Sequence, residues 1–366
     1  YYYIRYATSS VRANAEQERE LINMTNYAPF DTRPNFEATE SDISVALLTD
    51  HLNTTKSKLA KQIGKRGVME VLGDMQLLVG PPEQLCISNA ALMMFCEHLD
   101  KFFPYTQVEI TKFPEGSIKN PNNFIEVPVI KGSVPTMIKR TMEKLQDMVI
   151  EEKVTKVDYQ MEAIRRYSYP YQALEEAVVN AFYHRDYQSY QAIIIEIEPD
   201  CVRIISYPGI DRSISQKTIA EGERFKSRYY RNKRLGEFLK ELDLTEGKST
   251  GIPTIQEELR DNGSPKATFE TDDERRAVTV EIPIHPDFLM EQGEPQNEPQ
   301  NEPQNATSVE DAILQLIRMN KYVTREEMAS QIEVSLSTVK RSINKLKTSG
   351  IIEYEGPSKG GYWSIK

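Results

Sequence analysis

The sequence predicts an α+β fold followed by a small separate domain of short helices and a β-hairpin. Three observations carry the prediction. Apolar residues recur at helical spacing from Pro170, two Ile/Val-rich runs follow across Pro199-Asp200, and three copies of Glu-Pro-Gln-Asn over 294–305 divide the chain. At 366 residues the chain is about twice a typical domain, so two or three cores are expected.

Taken in order, Tyr1-Tyr2-Tyr3-Ile4-Arg5-Tyr6 reads as a strand already under way, as if the sequence begins at the tail of an upstream domain. A helical stretch is expected from about Glu40 to Leu78, strands near Val108 to Phe113 and Phe124 to Ile130, and a helix from Ser133 to about Glu152. Within the first of these, Lys56, Lys58, Lys61, Lys65 and Arg66 form a basic run. It reads more readily as a solvated helix face than as a contact for a phosphate or a partner. Ala173, Leu174, Ala177, Val178, Ala181 and Phe182 then predict a packed helix opened by Pro170, which suits a first helical turn. Ala192 to Glu198 and Cys201 to Tyr207 predict a hairpin, and Ala277 to Ile284 a further strand. The expected arrangement lays helices on one face of a sheet.

The Glu-Pro-Gln-Asn repeat has no apolar residue to bury and a Pro every fourth position, so it is expected to be a linker. Extended in a polyproline-like form it would reach roughly 35 to 40 Å, enough for its flanking domains to move independently.

The formal charge of -10 and a pI near 5.2 exclude a protein that coats DNA with its whole surface, because phosphate contacts need Lys and Arg. Any nucleic-acid contact must be local. Cys86, Cys96 and Cys201 are odd in number and widely spaced, so neither a disulfide framework nor a zinc site is indicated. No apolar run reaches the roughly 18 residues of a membrane span, and the expected compartment is the reducing cytoplasm.

On the Pro170 helix, Glu176, Asn180 and His184 fall four residues apart and form one polar stripe. Spacing alone fits the solvated flank of any amphipathic helix. A carboxylate and a carboxamide one turn apart can also hold a hydrated Mg²⁺, which prefers oxygen ligands. The run from Glu176 through Asn180 to His184-Arg185-Asp186-Tyr187 resembles the N box of the GHKL-type (Bergerat) ATP-binding domains. The form it resembles is the divergent one of RecG-like, Schlafen and Alba-associated transcriptional regulators. Ser206-Tyr207-Pro208-Gly209-Ile210 resembles that family's Asn-Pro-Gly turn, 231–235 its Arg-Asn helix start, and 246–252 its Gly-rich second box. The resemblance covers about 159 to 284. It implies a GHKL-like α/β sandwich that binds ATP with Mg²⁺, Asn180 as the metal ligand and Glu176 as the candidate general base. It also implies His184, Tyr207, Gly209, Gly247, Thr250 and Gly251 as the nucleotide-binding set. The sequence departs from the family at Tyr207, where Asn is usual, and at Ser249, where Gly is usual. Binding is expected in place of fast hydrolysis.

Two shorter motifs are set aside. Gly247-Lys248-Ser249 lacks the first Gly of a phosphate-binding P-loop, that position being Leu242. His184-Arg185-Asp186 lacks the Asn of a kinase catalytic loop, that position being Gln191. Without a Walker loop no helicase motor is expected.

From Ser308, three short amphipathic helices are expected at Val309 to Met319, Thr324 to Ile332 and Ser337 to Ser349, then strands at Ile351 to Tyr354 and Tyr362 to Ile365. This resembles a winged helix-turn-helix. Thr324 and Glu327 form a capping-box pattern that opens the second helix. The third helix carries Lys340, Arg341, Lys345 and Lys347 with no acid. Ser337, Thr338 and Asn344 add polar groups able to reach bases or phosphates, and Lys359 sits at the tip of the wing. From Ala306 onward nine Lys and Arg stand against seven Asp and Glu, so this end is positive within an acidic chain.

Tyr3-Ile4-Arg5-Tyr6-Ala7-Thr8-Ser9-Ser10 resembles the closing strand and loop of an Alba-like domain, so the expected organisation is the tail of such a domain over 1–33, a mixed helical and strand connecting domain over 34–157, the ATP-binding domain over 158–290, the linker over 291–305 and the winged helix over 306–366. The expected function is a nucleotide-responsive DNA-binding regulator that acts as a homodimer on double-stranded DNA. A slow DNA-linked ATPase, or a degenerate nucleotide fold serving as a dimerisation scaffold, is the alternative.

Overall fold

The computed structural model describes residues 2–365 except 7–8, 15–16, 19–20, 22–27, 156–163, 212–213, 221–229, 246–250, 290–308, 333, 335, 349 and 356–360. It comprises two compact units, Tyr1–Glu294 and Pro295–Lys366. Among the described residues no helix is long and apolar enough to cross a membrane.

The first unit opens with a hairpin of β1 (Tyr3–Tyr6) and β2 (Ser9–Arg12). The helical stretch expected from about Glu40 to Leu78 forms as two helices, α1 (Val45–Thr54) and α2 (Val68–Asp74), separated by a break that holds a 3-10 turn at Lys58–Lys61. The break has a local cause. Lys56 adopts a left-handed φ of 52°, and the Ser57 hydroxyl accepts from Leu59 N at 3.3 Å, which starts a new turn in a new direction. A short hairpin of β3 (Leu78–Val79) and β4 (Cys86–Ile87) leads into α3 (Asn89–Phe95), every residue of which is buried.

β5 (Val108–Lys112) and β6 (Ile125–Glu126) precede α4 (Val134–Val149). Ser133 caps α4 by accepting from Thr136 N, and Pro lies in its first turn. The helix stops at Val149, three residues short of the expected Glu152, because the chain turns extended at Ile150. It then enters the hairpin of β7 (Glu152–Thr155) and β8 (Ile164–Tyr167). α5 (Tyr171–Tyr183) follows with Pro170 as its N-cap, and all six of its expected apolar positions are buried. β9 (Ile193–Ile197) and β10 (Cys201–Ser206) form the predicted hairpin. Then come α6 (Gln216–Ala220), α7 (Lys233–Glu241), α8 (Gly251–Asn262), β11 (Thr268–Thr271), β12 (Val278–Pro283) and α9 (Pro286–Leu289).

Six strands make one sheet in the order β11-β12-β10-β9-β5-β6. Every pairing is antiparallel except β5 with β9, which runs parallel from Val108 opposite Ile193 to Lys112 opposite Ile197. The segment 34–157, expected as a separate connecting domain, therefore supplies two strands to the same sheet and shares one hydrophobic core with 158–290. Ile193, Ile195, Ile197, Val202 and Ile204 are buried, as period-two alternation over a covered face requires. On the other face Arg203 reaches Glu196 at 3.0 Å and Glu281 at 3.2 Å, its direct cross-strand neighbours. α5 packs against the sheet, with α4 and α8 against it in turn.

The second unit contains α10 (Val309–Met319), α11 (Arg325–Ile332), α12 (Leu336–Thr348) and a hairpin of β13 (Ile352–Glu355) and β14 (Tyr362–Ile365). Ile313, Ile317, Val323, Met328, Val339, Ile343, Leu346, Ile352 and Trp363 form its core. Trp363 closes it, donating from Nε1 to the Val323 carbonyl at 3.1 Å.

Candidate functional site

α5 and α8 meet through their polar residues as well as their apolar ones. Asn180 Nδ2 donates to Glu176 Oε1 at 3.0 Å, one turn apart on α5, and both side chains are half-buried. Gly251, the first residue of α8, lies directly over this pair. A Cβ on it would stand 2.5 Å from Glu176 Oε1 and 2.6 Å from Asn180 Nδ2, so only glycine lets the helix start approach. The positive end of the α8 dipole thereby faces the Glu176 carboxylate. Because the amide nitrogen of Asn180 is engaged, its Oδ1 is the atom left to coordinate a cation. The donor set is then one carboxylate and one carboxamide oxygen, a chemistry that fits Mg²⁺ with its remaining waters.

His184 lies just past the helix as its C-cap, its N–H donating to Asn180 O at 3.0 Å. Its ring lies tilted against Tyr183 at 4.9 Å between centroids and stacks with Tyr230 at 5.9 Å. Burial, with the Arg231 charge adding to it, pushes the imidazole down to about 4, so it is neutral near pH 7. Tyr183 in turn rests on α7 at Gly236, where any Cβ would strike the ring. Burial raises the Tyr183 phenol well above the ordinary tyrosine value.

The turn at 206–210 is held from behind. Tyr207 O accepts from Asp186 N at 3.0 Å, and the Gly209 N–H donates to Arg275 O at 2.9 Å. A Cβ on Gly209 would collide with Thr271 Oγ1 and Ala277 O, so packing against the β11–β12 turn accounts for glycine here. Gly247 and Thr250 lie outside the described residues.

Two structural anchors of this region were not read from the sequence. Asp31 is fully buried and caps α7, its Oδ2 accepting from Arg234 N at 2.6 Å and Leu235 N at 3.0 Å. Desolvation raises its carboxyl above the ordinary Asp range despite these bonds. The contact spans 203 residues, so no local pattern announces it. Arg185 is equally buried, donating to the backbone carbonyls of Gln191 and Tyr105. Asn232, within the Arg-Asn segment, donates to Tyr183 O at 3.0 Å and Arg185 O at 2.8 Å, tying the start of α7 to the end of α5.

In the second unit, Lys340, Arg341, Asn344 and Lys345 are exposed on α12, while Val339, Ile343 and Leu346 of the same helix are buried. Thr338 is half-buried. Ser337 is helical with its side chain outside the described set, and Lys359 lies wholly outside it. Among the described residues no group of three or more His, Cys, Asp or Glu is arranged to hold a metal ion.

Residues 191–281 match the family model described as putative ATP-dependent DNA helicase recG C-terminal, and residues 309–362 match the helix-turn-helix domain model. The chain carries a RecG C-terminal-like domain followed by a helix-turn-helix domain. The first match encloses Tyr207, Gly209 and Gly251 and begins after Glu176 and Asn180, which the fold brings back against it. A solved structure, the DIP2311 protein from Corynebacterium diphtheriae, is similar at 16% identity and a TM-score of 0.54, covering 100% of this chain and 69% of that one. At that identity the likeness is one of fold. No curated protein matches the chain.

Proposed function

We propose that the protein is a nucleotide-responsive DNA-binding regulator, in which the RecG-like domain is a GHKL-like sandwich and the helix-turn-helix domain a winged helix with β13 and β14 as its wing. The observation that carries the nucleotide half is the Glu176–Asn180 pair held against the glycine that begins α8. Asn180 Oδ1 and the Glu176 carboxylate would hold a hydrated Mg²⁺ beside the start of a helix, whose amides and dipole favour an anion. The metal, when bound, neutralises phosphate charge. The residues themselves position it, and Glu176 also lies where a water could be oriented. For the DNA half, α12 turns an acid-free basic face outward while its other face fills the core, the arrangement a recognition helix needs. A cytoplasmic homodimer on double-stranded DNA completes this reading.

Calorimetry of ATP with Mg²⁺ on the full chain tests it directly. Wild type is expected to bind, and Asn180→Ala to bind about tenfold or more weakly, a loss of about 1.4 kcal/mol or greater. Gel shifts on mixed duplexes are expected to change in midpoint when ATP is added. Absence of heat with ATP and ADP at millimolar ligand would sink the reading in favour of a scaffold. Phosphate release lost in Glu176→Ala with binding retained would make the protein a slow ATPase.

A further inference from the structure

We infer that the segment from Lys56 to Lys65 is a second phosphate-contacting surface, one that meets the sugar-phosphate backbone of duplex DNA from the first unit. Between His51 and Met69 the sequence contains Lys56, Lys58, Lys61, Lys65 and Arg66 and no acid, within a chain whose net charge is -10. An isolated basic stretch on an acidic protein repels nothing on a polyanion and attracts it locally. The structure separates the five cations. Arg66 is spent within the fold, reaching Asp74 at 2.5 Å and Glu70 at 2.9 Å. Glu241, another acid near this edge, lies 3.4 Å from His51. Lys56, Lys58, Lys61 and Lys65 are exposed and form no ion pair among the described residues. The fold therefore fixes its arginine internally and presents four lysines outward.

Two features of the backbone agree. Lys56 takes a left-handed φ of 52°, where glycine is the inexpensive choice, so the side chain is kept at a conformational cost. Gly64 has nothing within 4 Å of its Cβ position and Gly67 likewise, so the chain beside Lys65 offers open ground for a close backbone approach. Phosphates and not base edges are the matching partner. Lysine is a point charge on a flexible stem, and this segment has no helix longer than the four-residue 3-10 turn to enter a groove.

The test is fluorescence anisotropy of the full chain on a labelled mixed-sequence duplex across a salt series. It compares wild type with Lys56→Gln/Lys58→Gln/Lys61→Gln/Lys65→Gln, and separately with Lys340→Gln/Arg341→Gln. Neutral glutamines keep the polar surface, and circular dichroism confirms that each variant is folded. The quadruple variant is expected to bind more weakly and to lose about 3 to 4 units from the slope of log K against log salt, because each phosphate contact contributes about 0.9. An unchanged slope in the quadruple variant overturns the inference even if the α12 variant binds weakly. Conversely, loss in the quadruple variant alone upholds this surface while removing α12 from the DNA contact. Preference of the wild type for an RNA hairpin or for phosphatidylserine vesicles over the duplex, abolished in the quadruple variant, would also overturn it.

Discussion

Asn180 Nδ2 lies 2.6 Å from the point where a Cβ on Gly251 would stand, with Glu176 Oε1 at 2.5 Å on the same point. The glycine and the polar pair are thus one device, although 71 positions separate Asn180 from Gly251 in the sequence. Gly251→Ala must either move α8 or break the Glu176–Asn180 hydrogen bond. The expected cost is about 1–3 kcal/mol of overpacking, accompanied by weaker ATP binding. Gly64→Ala is the control, since its Cβ would meet nothing within 4 Å and φ there is not left-handed. Urea unfolding of both variants decides it, and equal midpoints would refute the close approach.

Asp31 supports the same region from a distance, and its raised pKa fixes the sign of a pH effect. A carboxyl that holds its proton more tightly folded than unfolded favours the folded state at low pH. That contribution is complete below the ordinary Asp value near 3.8 and is lost as pH rises through the folded value. Asp31→Asn keeps an oxygen for the amides of Arg234 and Leu235 and removes the ionisation. The stability of wild type relative to this variant should therefore fall as pH rises from about 4 toward neutrality. Asp31→Ala removes the α7 cap and should cost about 1–2 kcal/mol at low pH, where the wild-type carboxyl is protonated, and less as pH rises. Parallel stability profiles for wild type and Asp31→Asn would refute the desolvated carboxylate.

The second unit offers a cleaner capping experiment. Thr324 N donates to Glu327 Oε2 at 2.8 Å while Glu327 N donates to Thr324 Oγ1 at 3.2 Å, the reciprocal pair expected from the sequence. Thr324→Ala should cost about 1 kcal/mol, which for a unit of this size lowers its melting temperature by roughly 4–8 °C. Exposed Ser330→Ala on the same helix should leave it unchanged within about 0.5 kcal/mol. Scanning calorimetry that shows no difference between the two variants would show the cap to be idle.

What could be read in the sequence was what repeats locally. The α5 pattern, the β9–β10 hairpin and the three helices of the second unit all have periods that survive without partners. The helical stretch expected over 40–78 is interrupted at Lys56 and Ser57, two residues whose types do not mark a break but whose conformation makes one. β11 is four residues with a single buried side chain, Phe269, too short for alternation to show. The union of 34–157 with 158–290 depends on β5 pairing in parallel with β9 across more than eighty residues, and parallel pairing leaves no local signature. The candidate site shows the same division. Glu176 and Asn180 are neighbours on one helix and were legible, whereas Asp31 is a tertiary cap and was not.

Arg185 shows why a tripeptide such as His184-Arg185-Asp186 misleads when read as chemistry. Its guanidinium is buried and forks to the carbonyls of Gln191 and Tyr105, with its carbon 5.5 Å from the centre of the Tyr187 ring. It thus joins the loop after α5 to the approach of β5, the two segments that must align for the parallel pairing with β9. No carboxylate neutralises it at ion-pair distance among the described residues, so carbonyl dipoles and the ring face hold the charge. Lysine has one compact head and cannot reach both carbonyls. Arg185→Lys should therefore lose one charged hydrogen bond and strand a buried polar group, at about 2–4 kcal/mol. The loss should appear in the urea transition of the first unit and leave the melting of the second untouched. If Arg185→Lys unfolds at the wild-type urea concentration, the fork contributes nothing and the β5–β9 alignment must be held by the core alone.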